Sequence, residues 1–240
     1  MVDYEKQFEK PTYEKEARLT YVASVFKLAY GWMCAGLALS GLVAWYTASN
    51  PALCEKVIQG PGRWVCIIAE LAFVFILSAS IRKLSVGAAC LMFIAYAALN
   101  GLTLSVVFIA YELAFVQRVF FITAAMFGGL AVFGTFTRSD LSQIGAVCGM
   151  ALWGLIVAVV VNMFIPRSGT FDWIISFAGV LIFSGLTMWD EQKIKLLAQA
   201  EGQMDGATRH KVALMGALQL YLDFINLFIY LLRIFGRGRD

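Results

Sequence analysis

The sequence LQLYLDFINLFIYLLRIF at residues 218–235 decides the fold of this chain. Nearly all of its residues are apolar, as in a membrane-spanning helix, yet Asp223 lies near its middle. An ionisable side chain at the centre of a spanning helix costs about 2.5 to 3.5 kcal/mol, so such side chains face other helices and not lipid. The stretch therefore predicts a spanning helix with one side turned toward the interior of a helix bundle.

Polar residues recur in this region at steps of three and four positions, which places them on one face of a helix. The members of this polar stripe are Gly216, Gln219, Asp223, Asn226, Tyr230 and Arg233. The opposite face carries leucine, isoleucine and phenylalanine. We expect the stripe to face neighbouring helices, with lipid or apolar packing behind it.

The composition is that of a polytopic membrane protein. Of the 240 residues, 60% are hydrophobic and only 15% are charged, whereas about 25% are charged in soluble domains. Seven stretches are long and apolar enough to cross a hydrocarbon core of about 30 Å. They lie at residues 25–46, 64–81, 86–110, 119–136, 144–165, 173–189 and 212–235. Because lipid admits only helices and closed barrels, the sequence predicts an all-α membrane protein, a bundle of seven transmembrane helices.

The seven predicted helices form one domain at residues 25–236, between an amino-terminal segment at 1–24 and a short basic tail at 237–240. Lysine and arginine are more numerous in the amino-terminal segment and the loops on its side of the membrane than in the other loops and the tail. Since these residues stay on the cytoplasmic side, we expect a cytoplasmic amino terminus.

Seven full crossings would leave the basic tail outside, against this trend. Two alternatives stay open: the last helix crosses fully, which its length favours, or it re-enters and returns the tail inside.

Several functional classes are excluded by the composition. A net charge of +3 is too small to indicate a nucleic-acid partner. The single histidine, His210, offers neither a zinc site nor a catalytic triad. The GxGD motif of intramembrane aspartyl proteases is missing, and the last helix has no buried lysine for retinal. We therefore expect a protein that is not an enzyme and has no cofactor.

A second acid, Asp190, lies where the preceding apolar run gives way to charge, in SGLTMWDEQKIKLL at residues 184–197. It precedes Asp223 by 33 positions, and the turn-forming Gly202 and Gly206 fall near the midpoint of that interval. If the first of the two helices continues past the membrane to about Ala200 and the second begins near Arg209, both acids lie at a similar height in one antiparallel hairpin, at about 1.5 Å of rise per residue. This spacing makes a facing pair of carboxylates plausible.

A facing pair has defined chemistry. Two carboxylates about 4 Å apart repel by about 4 kcal/mol at an effective dielectric near 20, so the pair retains one shared proton and can sense pH. Hard oxygen ligands also suit Ca²⁺, which would compete with that proton and bind Asp190 and Asp223 transiently. The alternative is that the acids only bridge helices through hydrogen bonds to Gln219, Tyr221 or Asn226.

Other polar residues could complete such a site. Arg82, at the inner end of the second predicted helix, could bind a carboxylate through its bidentate fork, or serve only as a positive-inside anchor. Glu70 lies about 18 Å from Arg82 along the same helix. It is either a step on an ion path or a protonated packing acid. The further candidates for that path are Asn100, Gln219 and Asn226.

Three motifs accompany the seven helices and short loops: LYLDFINLFIYLLRIFG at residues 220–236, GLTMWDEQKIK at 185–195 and NGLTLSVVF at 100–108. Together they resemble the Bax inhibitor-1 family of membrane proteins, also called the transmembrane Bax inhibitor motif family. The chain looks most like the short bacterial members of the inner membrane. This resemblance implies a seven-helix bundle with helix seven at its centre.

The resemblance also implies a pH-dependent calcium leak that is governed by an aspartate pair. Its residues fall on Asp190 and Asp223, and its arginine latch falls on Arg82, although Ile81 occupies the ungapped position. Glu70 matches an acid that members of the family carry on helix two. The implied partners are membrane lipid, protons and calcium as the transported ion. The competing hypothesis is a non-conducting interaction protein that modulates a membrane protease or a stress or cell-death response.

Overall fold

A computed structural model describes residues 5–56, 62–80, 84–162, 164, 169–200 and 206–236. Within these ranges the chain forms eight helices and no strand. They are α1 (Glu5–Ala48), α2 (Pro51–Cys54), α3 (Gly62–Ser80), α4 (Val86–Ala110), α5 (Leu113–Phe136), α6 (Ser142–Asn162), α7 (Gly169–Ala200) and α8 (Gly206–Gly236). The all-α prediction is confirmed for the described part of the chain.

Six of the described helices are long and apolar enough to cross a membrane. They are the Arg18–Ala48 part of α1 together with α4, α5, α6, α7 and α8. The second predicted span corresponds to α3, whose apolar segment Trp64–Val74 is shorter than the other six. The chain is therefore a multi-pass membrane protein with six candidate spans among the described residues, where the sequence predicted seven.

The last two helices extend further than their predicted spans. α7 continues to Ala200, well beyond its predicted end at residue 189, and α8 begins at Gly206, before its predicted start at 212. Hydropathy marks where an apolar run ends, but lysine, glutamate and glutamine are good helix formers and do not stop a helix. As a result, the charged residues that follow Trp189 lie on a helix and not in a loop.

α8 is the most enclosed of the spans. It packs against α1, α4, α5 and α7, and 72% of its apolar span is buried, compared with 11% for α6. The leucines on the face opposite its polar stripe, Leu214, Leu218 and Leu232, are at most 2% exposed. Apolar packing, and not lipid, therefore covers much of the face opposite the stripe.

The polar stripe of α8 faces α7 in an antiparallel hairpin. A β-carbon on Gly216 would lie 2.9 Å from Ile194 Cδ1, and the Tyr230 ring covers Gly179. Asp223, midway between these contacts, interacts with Asp190. The three contacts on α8 are seven residues apart, which is about two helical turns, so the stripe follows α7 along its length.

Glycines bring α7 close to its other neighbours. A β-carbon on Gly134 of α5 would collide with the backbone carbonyl oxygen of Met188, and one on Gly145 of α6 would collide with the Trp189 ring. Small residues let membrane helices approach closely in this way. Both contacts lie within two residues of Asp190, so they help to fix the position of that carboxylate.

Candidate functional site

The centre of the candidate site is the pair Asp190 and Asp223. Their residues are only 6% and 4% exposed, and the two carboxyl groups interact across the interface between α7 and α8. The structure thus brings together the two acids that the sequence spacing suggested. Asp190 Oδ1 and Asp223 Oδ2 are buried and accept no hydrogen bond from the described part of the chain. Buried polar atoms normally have a partner. Asp190 Oδ1 has the Lys193 ammonium 3.6 Å away, whereas Asp223 Oδ2 suits a proton or a small cation.

Lys193 supplies a positive charge beside the pair. Its Nζ lies 3.6 Å from Asp190 Oδ1 and 4.5 Å from the centre of the Trp189 ring. Lys193 follows Asp190 by three positions, so the two side chains are neighbours on one face of α7. The sequence argument did not assign Lys193 to the site.

A third acid, Glu191, lies beside the pair and was missed from the sequence. It is fully buried, Tyr30 of α1 donates a hydrogen bond to its Oε1, and Thr135 of α5 donates to its Oε2 at 3.3 Å. Glu191 also interacts electrostatically with Asp190 and Asp223. One signal in the sequence could have found Glu191. It lies three positions before Ile194 and four after Thr187, so the three residues share one face of a helix.

Gln192 ties α7 to the loop at residues 137–141. The backbone N–H of Leu141 donates to Gln192 Oε1 at 2.8 Å, and Gln192 Nε2 donates to the carbonyl oxygen of Ser139 at 2.8 Å. In the same loop, hydrogen bonds from the Ser142 side chain and backbone N–H hold the pKa of the exposed Asp140 carboxyl below its usual range. The loop between α5 and α6 is therefore fixed to the part of α7 that carries the acids.

Replacing Gln192 with alanine should release this loop. Each of the two lost hydrogen bonds contributes about 1 kcal/mol, so we expect trypsin to cut after the exposed Arg138 about tenfold faster or more. Mass spectrometry of timed digests in detergent would measure that cleavage. Gln143→Ala, at an exposed position early in α6, is the matched control and should digest like the wild type. Equal cleavage of the two variants would contradict the tether.

A second polar cluster lies on another face of α8. Tyr221 precedes Asp223 by two positions, which corresponds to about 200° around a helix. Tyr221 Oη lies 2.7 Å from Ser40 Oγ of α1 and donates to Asn100 Oδ1 of α4 at 3.0 Å. These contacts connect α8 to α1 and α4, while Asp223 connects it to α7.

Glu70 belongs to this second cluster. It is half-buried on α3, and Thr103 Oγ1 of α4 donates to its Oε1 at 2.5 Å. Glu70 also interacts electrostatically with Tyr221 and Tyr96. The structure therefore places two of the predicted path residues, Glu70 and Asn100, in one neighbourhood.

The other residues that the sequence predicted for the site have fewer described contacts. Gln219 Oε1 is buried and accepts no hydrogen bond from the described residues, whereas Asn226 Nδ2 donates to the Leu222 carbonyl of its own helix at 2.8 Å. Arg82 and the tail at 237–240 lie outside the described residues. Across the described ranges, no group of three histidine, cysteine or acidic side chains is arranged to hold a metal ion. Glu191 therefore does not add a third ligand to the aspartate pair.

Comparison with known proteins settles the family. The family described as "Inhibitor of apoptosis-promoting Bax1" matches residues 22–240, which include both polar clusters. The chain belongs to the Bax inhibitor-1 family. The resemblance noted in the sequence motifs is thereby confirmed.

Bacterial relatives of this Bax inhibitor-1 family chain match it along nearly its whole length. Inner membrane protein YbhL of Escherichia coli strain K12 is 44% identical over 221 residues, which are 92% of each chain. A protein of Deinococcus radiodurans is 39% identical over 98% of this chain and 99% of its own. A membrane protein of Streptococcus pyogenes serotype M3 is 40% identical over 89% of this chain and 92% of its own. The Escherichia coli relative is named as an inner membrane protein and the Streptococcus pyogenes relative as a membrane protein, in agreement with the six candidate spans of this chain.

Proposed function

We propose that this protein is a pH-sensitive calcium leak of the bacterial cytoplasmic membrane, gated by protonation of Asp190 and Asp223. The observation that supports the proposal is the interaction between two buried carboxyl groups on neighbouring spans. Asp223 Oδ2 accepts no hydrogen bond from the described residues, and Asp190 Oδ1 lies 3.6 Å from Lys193 Nζ. Two such acids cannot both ionise without a counter-charge. Their protonation state and their cation occupancy are therefore linked.

The proposed gate uses this linkage. At higher pH the ionised pair holds a cation and keeps the cytoplasmic end closed; the candidate cation is Arg82 by its sequence position, and Lys193 lies beside Asp190 in any case. At lower pH a carboxylate of the pair takes up a proton. The pair then attracts the cation less strongly, and the cation is released. Calcium competes for the same oxygens because carboxylates are its preferred ligands.

The proposed ion path continues through the polar residues around α8. Glu70, Thr103, Asn100 and Tyr221 form a hydrogen-bonded series between α3, α4 and α8. Gln219 has a buried oxygen with no described donor, which suits a water or ion contact. Polar side chains inside a membrane bundle mark such pathways.

The proposal includes an architecture and an orientation. α3 would be the seventh span, α8 the central helix and the amino terminus cytoplasmic, as the lysine and arginine distribution indicates. Enclosure of α8 by four helices supports its central place. The protein would act without catalysis, in contact with lipid, protons and calcium.

Calcium flux by the purified protein tests this function. In liposomes loaded with a calcium-sensitive dye, we expect calcium entry that rises several-fold as the external pH falls from mildly alkaline to acidic. Liposomes without protein, and liposomes with an unrelated multi-pass protein, control for passive leakage. If calcium entry at every pH equals that of these controls, the protein is not a leak.

A further inference from the structure

A cavity lies between the start of α5 and the end of α8. Its volume is about 470 Å³, within the range of about 300 to 1,000 Å³ that is usual for small-molecule sites. Its lining residues come from both helices and are Glu112, Ala114, Phe115, Arg118, Val119, Ile122 and Phe235. Along α8, Phe235 follows Asp223 by 12 positions, or about 18 Å. The cavity is therefore separate from the aspartate pair.

The walls of the cavity are mostly apolar. On its inner side the buried Phe115 stacks on Tyr111, with ring centroids 5.5 Å apart. A β-carbon on Gly236 would collide with the same Tyr111 ring, so the end of α8 packs closely beside the start of α5. On the outer side Ile122 and Phe235 are 40% and 44% exposed. The cavity therefore opens toward the surroundings of the bundle, which are lipid in a membrane.

Arg118 lies at the level of one membrane surface. Phe136, the last residue of α5, follows it by 18 positions, or about 27 Å along the helix, close to the thickness of a hydrocarbon core of about 30 Å. Side chains lean toward the start of their helix, so Arg118 can extend its guanidinium into the headgroup region. Arg118 is exposed and forms no ion pair with a described residue. A guanidinium in this place suits a phosphate group, which it can bind through two parallel hydrogen bonds.

The order of the lining residues along α5 matches the order of groups in an aminophospholipid. From the end of the bundle inward, the cavity presents the carboxylate of Glu112, the guanidinium of Arg118 and the apolar side chain of Ile122. An aminophospholipid presents an ammonium group, a phosphate and then acyl chains. A carboxylate accepts several hydrogen bonds at once, so Glu112 can accept one from an ammonium group beside the contacts that it already makes. A headgroup with negative charge alone would be repelled by Glu112.

We propose that this cavity binds one aminophospholipid of the surrounding membrane. The lipid phosphate contacts Arg118 and its ammonium group contacts Glu112. One acyl chain lies against Ile122 and Phe235, so the lipid joins the start of α5 to the end of α8. Because the unfolded chain lacks this cavity, bound lipid stabilises the folded protein in proportion to its occupancy.

The test measures the Tm of the full chain in a nonionic detergent while phosphatidylethanolamine is titrated into the micelles. We expect Tm to rise to a plateau, and the midpoint of the rise gives an apparent affinity. Arg118→Gln should weaken that affinity about tenfold, since it removes a charged hydrogen-bond donor. Arg138→Gln makes the same change at an exposed position just beyond the other end of α5 and should keep the wild-type affinity. Ala114→Trp should also weaken binding, because its bulky side chain fills the cavity.

Two further ligands identify the source of the phosphate. Phosphatidylglycerol with the same acyl chains lacks the ammonium group and should raise Tm less than phosphatidylethanolamine does. Glycerophosphoethanolamine has the headgroup without the chains and should leave Tm unchanged. An equal rise with the two lipids would overturn the assignment of an aminophospholipid, and an equal rise with the free headgroup would overturn the assignment of a lipid.

The two cavity variants decide the site itself. Wild-type affinity for phosphatidylethanolamine in both Arg118→Gln and Ala114→Trp would overturn it, as would an equal loss in Arg118→Gln and Arg138→Gln. If Arg118→Gln does not fold, Ala114→Trp carries the same decision, because it leaves both charged groups in place.

Discussion

Gly134→Val should push α7 away from α5 and lower the free energy of unfolding by about 1 to 3 kcal/mol, the usual cost of overpacking. Even a single β-carbon at this position would collide with the Met188 carbonyl oxygen and lie 3.0 Å from Glu191 Cβ. The Met188 oxygen belongs to the backbone, so no side-chain rotation can relieve the collision. The Tm of the purified protein in detergent would measure the loss.

The same helix offers a matched control for Gly134. A β-carbon on Gly129 meets no atom within 4 Å, so Gly129→Val makes the same chemical change without a collision. We expect its Tm to stay close to that of the wild type. If both variants lose the same stability, the cost comes from valine in a helix and not from the contact between α5 and α7.

Asp190→Asn and Asp223→Asn should each flatten the pH dependence of calcium flux. We expect the ratio of flux at acidic pH to flux at alkaline pH to fall from several-fold to near one, which corresponds to about 1 kcal/mol of coupling. Because two interacting acids titrate as a unit, the double variant should add little to either single one. Flux into dye-loaded liposomes across a pH series would measure all three.

Asp172→Asn is the control for the aspartate pair. Asp172 also lies on α7, near its start, and its Oδ1 accepts a hydrogen bond from Asn162 Nδ2 at 2.6 Å. It is 18 residues from Asp190, or about 27 Å along a helix, so its removal should leave the pH response intact. Wild-type flux and pH dependence in both Asp190→Asn and Asp223→Asn would show that the pair is not the gate.

The hairpin of α7 and α8 could be predicted because its signals are local. The three- and four-residue steps of the polar stripe predict one face of α8, and Gly202 and Gly206 predict a turn before it. These signals give the relative height of Asp190 and Asp223. The rotation of the two helices depends on side-chain packing such as that of Gly216 against Ile194, which only the structure supplies.

Glu191 was missed because hydropathy ended the span too early. The predicted membrane span stops at residue 189, so the sequence argument gave Glu191 no place in the site, whereas the structure buries it on α7. Its partners Tyr30 and Thr135 are 161 and 56 residues away in the sequence. No local pattern indicates contacts at such separations.

Tyr221 was missed for a related reason. Tyrosine counts as apolar in a hydropathy pattern, so Tyr221 lies off the polar stripe even though its hydroxyl is hydrogen-bonded. Its contact with Ser40 joins positions 181 residues apart. The count of spans has another origin. The second predicted span, residues 64–81, extends beyond Ser80, the last described residue of α3, and the described apolar segment of that helix is Trp64–Val74.

The positions of Tyr221 and Asp223 on one helix have a mechanical consequence. α8 is a single continuous helix from Gly206 to Gly236, so both side chains turn with it by the same angle. A rotation that alters the distance between Asp223 and Asp190 also alters the distances from Tyr221 to Ser40 and Asn100. The two sides of α8 therefore cannot rearrange independently while the helix remains rigid.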